Sequence, residues 1–275
     1  MVEKYSVLMS LYKKENPNWF VESIESMINQ SVKPNQIVLV IDGPISGELK
    51  DKVTFFQENY SDLIDVLPLE KNIGLGKALD KGLEICSNEL VARMDTDDIS
   101  LPDRCEKELK LFDADSQLAM VGTNIDEFYD TPDNIVSSRN VPSKNEDIKK
   151  YIRRRSPFNH PTVMFKKSVV IEVGGYGTLR RKQDLDLFSR MVNSGYKTAN
   201  LDESLLLFRS NENNFKRRKS WSYVSSYIKA QYTIFRRGHC NLLDLLYVIV
   251  GQIILYILPL PLLKQISNKF LRSVK

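Results

Sequence analysis

The sequence of 275 residues has few of the side chains that build disulfide frameworks or transition-metal centres. Its three cysteines, Cys86, Cys105 and Cys240, are odd in number and widely separated, and none belongs to a C-x-x-C pair. This usage is typical of a reducing compartment and excludes a disulfide scaffold and a cysteine-based zinc site. With only two histidines, His160 and His239, a multi-histidine metal centre is excluded as well.

An apolar signal-peptide core is also missing, because Met1–Lys4 leads directly into a strand-like run. We therefore expect the folded part of the chain to lie in the cytoplasm. The content of 42% hydrophobic and 27% charged residues is that of a globular protein, which excludes disordered and collagen-like chains. The length is sufficient for one large domain, or for one domain with an appendage.

Charge is distributed unevenly along the chain. Residues 210–275 contain eleven of the 39 Lys and Arg residues but two of the 35 acidic residues, so this tail carries +9 and residues 1–209 carry −5. A basic tail favours an anionic surface, either a membrane or a nucleic acid. Leu245–Leu263 contains no charged residue, and nucleic-acid grooves do not carry such an apolar run. The tail therefore predicts contact with a membrane and no nucleic-acid partner.

The apolar run is short for a helix that spans a membrane. Its nineteen residues would extend about 28 Å, just short of a hydrocarbon core of about 30 Å. Pro259 and Pro261 interrupt its last turn, and basic residues flank both ends. Two basic ends favour a segment that dips into the membrane or lies at its cytoplasmic face. A spanning helix and a buried helix of a soluble domain remain the alternatives.

Short apolar runs alternate with amphipathic stretches in the first half of the chain. The predicted strands are Tyr5–Leu11, Gln36–Ile41, Ile64–Leu67 and Leu90–Met94, and the predicted helices are Asn18–Asn29, Leu75–Cys86 and a stretch from Pro102 to about Asp113. This alternation predicts an open α/β sheet that is mostly parallel. Ligands bind beyond the carboxyl ends of the strands in such sheets.

The second half is less regular. Thr162–Phe165 is compatible with a strand, Asp184–Asn193 with a helix and Leu205–Phe208 with a last strand, whereas residues 124–160 are polar and show no clear period.

Two carboxylates follow the fourth predicted strand. Asp95 and Asp97 alternate along the chain, so in extended backbone both side chains project from one face. With no histidine or cysteine nearby, this pair suits Mg²⁺ or Mn²⁺. The same run is also compatible with an acidic loop in which Asp98 and Ser100 cap the helix that begins near Pro102. Spacing alone leaves both interpretations open.

Two other segments follow or precede predicted elements. Asp42-Gly43-Pro44 comes after the second strand and is, by itself, a common turn. Asn72–Lys77 opens a helix as phosphate-binding loops do. A dinucleotide fingerprint requires glycine at position 79, which is Leu79 here, and a P-loop requires glycine at position 71, which is Lys71 here. Each segment alone is a weak signal.

Taken together, these segments resemble the family 2 glycosyltransferases of the GT-A fold. The matching segments, in order, are Ser6–Glu15, Val40–Pro44, Asn72–Lys77, Arg93–Ser100, His160–Val163, Gly174–Tyr176, Gln183–Phe188 and Phe208–Arg209. The resemblance covers roughly residues 4–210. It implies a single Rossmann-like nucleotide-sugar-binding domain over residues 1–210, followed by a basic, hydrophobic and helical membrane-association region over residues 211–275. Within the family, the chain is similar to enzymes that build bacterial surface polysaccharides, such as O-antigen, capsule or exopolysaccharide, on a lipid carrier.

The resemblance also implies a role for each matching residue. The nucleotide-sugar-binding positions are Ser10, Tyr12, Glu15, Asp42, Lys71, Asn72, Gly74, Arg93, Asp95 and Arg209. Asp42 would accept a hydrogen bond from the base imide, which favours uridine, and Arg209 would contact the diphosphate. Asp95 and Asp97 match the D-x-D pair that holds Mn²⁺ or Mg²⁺, with Asp97 the more direct ligand.

On the acceptor side, Asp184 matches the catalytic base, and His160 and Gln183 would lie near the sugar or the acceptor. The residue before the base is usually Glu in the family and is Gln183 here. This difference leaves Asp186 as an alternative base, although Asp184 is favoured.

These roles imply an inverting, metal-dependent hexosyltransferase. Asp184 would take the proton of the attacking hydroxyl. A UDP-sugar, with galactose or glucose first and N-acetylhexosamine next, would yield a β-glycoside on a polyprenyl-diphosphate-linked saccharide. We expect the enzyme at the inner face of the cytoplasmic membrane, attached peripherally or monotopically through residues 242–263. The alternative is a catalytically silent scaffold of a membrane polysaccharide-assembly complex. The presence of every acidic residue that the chemistry needs argues against it.

Overall fold

The computed structural model describes residues 4–210, 219–259 and 273–274. The strands in these ranges are β1 (Tyr5–Leu11), β2 (Gln36–Ile41), β3 (Ile64–Pro68), β4 (Leu90–Met94), β5 (Ile99–Ser100), β6 (Leu118–Phe128), β7 (Ile135–Arg139), β8 (Met164–Lys166), β9 (Lys197–Arg209) and β10 (Ser273–Val274). The α-helices are α1 (Pro17–Ile28), α2 (Gly47–Asn59), α3 (Leu75–Ile85), α4 (Arg104–Ala114), α5 (Asn145–Tyr151), α6 (Lys167–Glu172), α7 (Gln183–Asn193), α8 (Trp221–Arg236) and α9 (Leu242–Ile257), and His160–Thr162 forms a 3₁₀ turn.

The first half of the chain forms the parallel part of one sheet. Its strands lie in the order β3-β2-β1-β4, and every neighbouring pair is parallel. Strands β1, β2 and β4 are buried along almost their whole length. Strands covered on both faces are nearly continuous apolar runs, which is the pattern that predicted them. The predicted α/β fold class is confirmed.

The second half makes the sheet mixed. Strand β8 is antiparallel to both β4 and β6, and β6 is parallel to β9 and antiparallel to β7. Strand β6 was missed by the sequence analysis because its buried positions include the polar residues Thr123, Asn124 and Glu127. These buried positions are occupied by hydrogen-bonded polar side chains and not by apolar ones. For example, Glu127 Oε2 accepts from Ser137 Oγ at 2.6 Å.

Helices cover both faces of the sheet. One core contains Phe20 of α1, Phe56 of α2 and Phe112 of α4. The other contains Leu79 of α3 and residues of α7 and α8, including Phe188 and Ile234. Helix α8 therefore contributes to the second core although it follows residue 210.

The last helix in the described ranges, α9, packs on α8. It begins with a capping box between Asn241 and Asp244, and the buried Asp244 carboxylate pairs with Arg153 and Arg154 at 2.6 Å each. Within residues 242–263, the segment expected to attach the chain to a membrane, the helix runs over Leu242–Ile257 and ends before Pro259. Residues 260–263 lie outside the described residues. Among the helices that the structure describes, none is both long and apolar enough to cross a membrane.

Candidate active site

A cleft of about 540 Å³ opens where β1, β2 and β4 end. This is the edge at which open parallel sheets bind ligands. Most of the residues predicted from the sequence line it: Ser10, Tyr12, Glu15, Asp42, Asn72, Gly74, Asp95, Asp97, His160, Asp184 and Arg209. Side chains that are up to 199 positions apart in the chain therefore meet in one cavity.

Three predicted site residues lie outside the cleft wall. Lys71 is exposed. Arg93 is completely buried beneath the cleft, where its Nη2 donates to Oδ1 of Asp95. Gln183 is buried at the start of α7, and its Cγ would lie 3.0 Å from a Cβ placed on Gly76. Arg93 thus supports Asp95 from below, and Gln183 packs α7 against α3.

Besides the bond from Arg93, the segment from Asp95 to Asp98 is held through two backbone carbonyl oxygens and Oδ1 of Asp98. Ser23 Oγ donates to the carbonyl oxygen of Asp95 at 2.6 Å. Arg209 Nε donates to the carbonyl oxygen of Asp97 at 3.0 Å, and Arg209 N donates to Oδ1 of Asp98 at 2.9 Å. These bonds fix the segment in a conformation in which the Asp95 and Asp97 carboxylates line the cleft.

The carboxylates of this segment fit a divalent cation. One oxygen each from Asp95, Asp97 and Asp98 lies within 4.8 Å of the other two. Oδ2 of Asp98 is buried without a hydrogen-bond donor in the described part of the chain. Burial, and then the charges of Asp97 and Asp95, raise the pKa of Asp98 well above its usual value. A site made of oxygen ligands with excess negative charge is of the kind that Mg²⁺ or Mn²⁺ occupies.

Glu15 also faces this negative charge. Burial, and then the charges of Asp97 and Asp95, raise the pKa of Glu15 from 4.5 to about 8. The pKa of this carboxyl group is therefore higher in the folded than in the unfolded protein. Such a group lowers the stability of the protein as the pH rises above the pKa of the unfolded state, and the loss is complete above the pKa of the folded state.

The metal-free protein should therefore lose thermal stability relative to a Glu15→Gln variant between about pH 5 and pH 9. Gln keeps the shape of the side chain and cannot take the charge. Melting curves of both proteins in a chelator, recorded at the two pH values, check this. A difference in Tm that is the same at both pH values would contradict it.

Asp42 organises the loop beside the cleft. Its Oδ1 accepts from Ile73 N at 2.7 Å, and its Oδ2 accepts from Asn72 Nδ2 at 2.8 Å and from Gly74 N at 3.1 Å. The next residue, Gly43, has φ +85°, and a Cβ there would lie 2.5 Å from Asn72 N. This close approach requires glycine. Asp42 thus positions the loop, a role that the sequence did not indicate.

Arg209 has a similar positioning role. Its guanidinium pairs with Glu22 and lies between the rings of Trp19 and Phe128, at 4.9 and 4.6 Å from their centroids. Because it also bonds Asp97 and Asp98, Arg209 connects the end of β9 to the acidic segment. A contact between Arg209 and a diphosphate stays a prediction.

The two candidate bases at the start of α7 differ in their surroundings. Asp184 lines the cleft together with Asp97. Asp186 is buried and pairs with Arg190 at 3.1 Å and with Arg237. Asp186 is not among the cleft-lining residues, so the geometry favours Asp184.

Asp186→Asn should lower the free energy of unfolding by about 2–4 kcal/mol, because it leaves the largely buried Arg190 without its counter-ion. The activity per folded molecule should change little. Urea unfolding of the variant and of Asp184→Asn provides the comparison, with the smaller loss expected for Asp184→Asn. A loss below about 0.5 kcal/mol for Asp186→Asn, the range of ordinary surface substitutions, would contradict a structural role.

His160 lies on the cleft wall in neutral form. Burial, and then the charge of Arg93, lower its pKa well below the usual value. Its Nε2 lies 3.0 Å from the phenol oxygen of Tyr176. The imidazole therefore contributes shape and hydrogen bonding to the cleft and no positive charge at neutral pH.

The cleft also contains residues that the sequence did not indicate. They include Thr96, Glu127, Arg139, Asn159 and Lys182. Arg139 donates to Asn159 Oδ1 at 2.7 Å, and Asn159 Nδ2 donates to the carbonyl oxygen of Thr123 at 2.8 Å. Glu127, Arg139 and Asn159 come from β6, β7 and the loop after α5, within residues 124–160, where the sequence shows no clear period. The one available signal was the basic run Arg180–Lys182 directly before α7.

Comparison with known proteins identifies similar sequences and structures. The sequence profile described as "Glycosyl transferase family 2" matches residues 6–188. The chain is 38% identical over 225 residues to the amylovoran biosynthesis glycosyltransferase AmsE of Erwinia amylovora, covering 82% of this chain and 83% of the relative. It is 34% identical over 269 residues to the UDP-Gal:alpha-D-GlcNAc-diphosphoundecaprenol beta-1,3-galactosyltransferase of Escherichia coli, covering 98% and 97%.

Among solved structures, the mannosyltransferase PcManGT from Pyrobaculum calidifontis, in complex with GDP-Man and Mn²⁺, is similar with a TM-score of 0.66. The identity is 14%, and the match covers 97% of this chain and 73% of that chain. At this identity the likeness concerns the fold.

Proposed function

The chain belongs to glycosyl transferase family 2, and on that premise we propose that it transfers a hexose from a UDP-sugar to a polyprenyl-diphosphate-linked saccharide in surface polysaccharide synthesis. Galactose is the first candidate and glucose the second. The observation that carries the proposal is that Asp97 and Asp184 line the same cleft. The name of the Escherichia coli relative supports the classes of donor and acceptor.

In the proposed reaction, Asp184 accepts the proton of the acceptor hydroxyl as that oxygen attacks the anomeric carbon. The bond between this carbon and the diphosphate breaks in the same in-line step, so an α-linked donor gives a β-glycoside. The loop held by Asp42 borders the donor. Asp97 and Asp95 would hold Mn²⁺ or Mg²⁺, which stabilises negative charge on a leaving diphosphate as a Lewis acid. Arg93 and Arg209 keep this acidic segment in place.

The direct test measures transfer of labelled galactose from UDP-galactose to a synthetic N-acetylglucosamine-diphosphate lipid. UDP-glucose, UDP-N-acetylglucosamine and GDP-mannose serve as comparison donors, and NMR coupling constants give the anomeric configuration of the product. We expect a β-linked product and a clear preference for a UDP-hexose. Absence of transfer from every donor by folded protein in the presence of Mn²⁺ would overturn the proposal.

The location proposed from the sequence, the inner face of the cytoplasmic membrane, is supported by α9. Its large exposed apolar side chains are Leu242, Leu243, Leu246, Tyr247, Val250, Ile253, Ile254, Tyr256 and Ile257. The guanidinium of Arg154 lies 4.8 Å from the ring centroid of Tyr247, at the edge of this face. An apolar helix face bordered by basic side chains is typical of helices that lie in the interface of an anionic bilayer.

Replacing two residues of this face, Leu243→Glu together with Val250→Glu, should lower binding to phosphatidylglycerol vesicles by more than about tenfold. Each substitution removes apolar area that the bilayer would bury and adds a negative charge that the anionic lipids repel. Vesicle flotation measures the bound fraction. Phe55→Glu on α2, where the ring is 54% exposed, is the matched control and should bind as the wild type does. Equal binding by the double variant would exclude α9 as the contact.

A further inference from the structure

Lys182 occupies an unusual position beside the proposed base. It precedes α7 with φ 61°, a left-handed conformation, and it lines the same cleft as Asp184. A residue with a side chain rarely adopts positive φ, and such strain concentrates at functional sites. The position of the Lys182 side chain therefore depends on a strained backbone conformation. Its contacts indicate what this position could serve.

The ammonium group of Lys182 is held by aromatic residues of α8. Its Nζ donates to Tyr223 Oη at 2.6 Å and lies 4.4 and 4.6 Å from the ring centroids of Tyr223 and Tyr227. Within the described ranges, no carboxylate forms an ion pair with it. The charge is thus oriented by neutral groups, which leaves it available to an anion in the cleft.

A second cation lies in the same part of the cleft. Arg139, at the end of β7, lines the cleft and donates to Asn159 Oδ1 at 2.7 Å and to the carbonyl oxygen of Ser156 at 2.8 Å. The pKa of the half-buried Tyr227, whose ring contacts Lys182, is raised mainly by burial and is influenced further by the charges of Arg139 and Asp184. A positive side chain from β7 and one from the start of α7 therefore line the cleft that contains the proposed base.

We propose that Lys182, supported by Arg139 and Tyr223, binds the diphosphate of the lipid-linked acceptor. The inference rests on the proposed function. In a saccharide whose reacting sugar is linked directly to a diphosphate, this anion lies one sugar ring from the attacking hydroxyl, which must reach Asp184. The Asp184 carboxylate repels such an anion, so cations are required beside it. The donor diphosphate belongs at the other, acidic part of the cleft, near Asp97.

The test compares two acceptors with the same reacting sugar, one linked to a lipid diphosphate and the other an alkyl glycoside without phosphate. We measure kcat/KM for both with wild type, Lys182→Met and Lys182→Arg. Lys182→Met should lower the ratio of kcat/KM for the diphosphate acceptor to that for the alkyl glycoside by at least tenfold, mainly through KM. Lys182→Arg should restore most of the ratio. Lys229→Met, an exposed lysine of α8, is the control for charge removal, and melting curves verify folding.

An unchanged ratio in Lys182→Met would overturn the inference. An equal fall in kcat/KM for both acceptors, together with a higher KM for the donor, would overturn it as well, because Lys182 would then bind the donor. Wild-type protein that transfers to neither acceptor would instead contradict the proposed function, and the inference with it.

Discussion

Asp184→Asn should lower kcat for hexose transfer by about 10²- to 10⁴-fold, the usual contribution of a general base. Asparagine has nearly the same shape as aspartate and cannot take a proton from the acceptor hydroxyl. The side chain lies at the start of α7 and lines the cleft, so the substitution should leave the fold and donor binding intact. Steady-state kinetics with saturating donor and acceptor measures the loss, and calorimetric titration with UDP and Mn²⁺ checks that the nucleotide still binds.

The matched control is Asp186→Asn, two residues further along the same helix. Asp186 is committed to Arg190 and Arg237, so this variant should lose stability and keep most of its activity when folded. The reverse result, with full activity in Asp184→Asn and inactivity in folded Asp186→Asn, would assign the base to Asp186. Loss of UDP binding in Asp184→Asn would show that the residue serves the donor.

The choice between these two carboxylates illustrates what the sequence could not provide. Both fall in the first turn of a helix that the pattern predicted correctly, and spacing along the helix does not show which one faces a cavity. The answer depends on Arg237, which follows α8 and lies 51 positions away in the chain. A pairing of this kind is a property of the tertiary structure and has no local signal.

The parallel strands were predictable for the opposite reason. Strand β2 is buried over Gln36–Val40, and such burial selects an uninterrupted apolar run that is visible in the sequence. Strand β6 is equally buried, yet its polar side chains are hydrogen-bonded: Thr123 Oγ1 donates to the carbonyl oxygen of Asn124 at 2.8 Å, and Asn124 Oδ1 accepts from Val141 N at 2.9 Å. Polar residues that are satisfied in this way conceal a central strand.

Asp42 shows the same limit within the site. The resemblance predicted a contact between Asp42 and the base of the nucleotide. In the structure, the Asp42 carboxylate accepts three hydrogen bonds from a loop about 30 positions further along the chain. The contact with the base stays a prediction. What the structure adds is the reason why an aspartate follows β2: its carboxylate fixes the loop that borders the cleft.

Asp97→Asn should lower transfer by at least about 100-fold, because Asp97 is the proposed ligand of a cation that would contribute several kcal/mol of charge stabilisation. The variant should also lose most of the dependence of UDP binding on Mn²⁺, which calorimetric titration in Mn²⁺ and in a chelator measures. Asp51→Asn, on the exposed side of α2, is the control. A wild-type protein that binds UDP equally in both buffers would contradict the metal site, and one that binds no UDP would favour the silent scaffold.

The neighbouring carboxylate provides a finer test of the same site. Asp95 Oδ1 accepts a hydrogen bond from the buried Arg93, so part of its negative charge is already balanced within the protein. We therefore expect Asp95→Asn to weaken Mn²⁺-dependent UDP binding less than Asp97→Asn does, and to lower the melting temperature more, because it leaves the Arg93 guanidinium buried without its anion. The opposite order in both measurements would make Asp95 the principal ligand and leave Asp97 with a structural role.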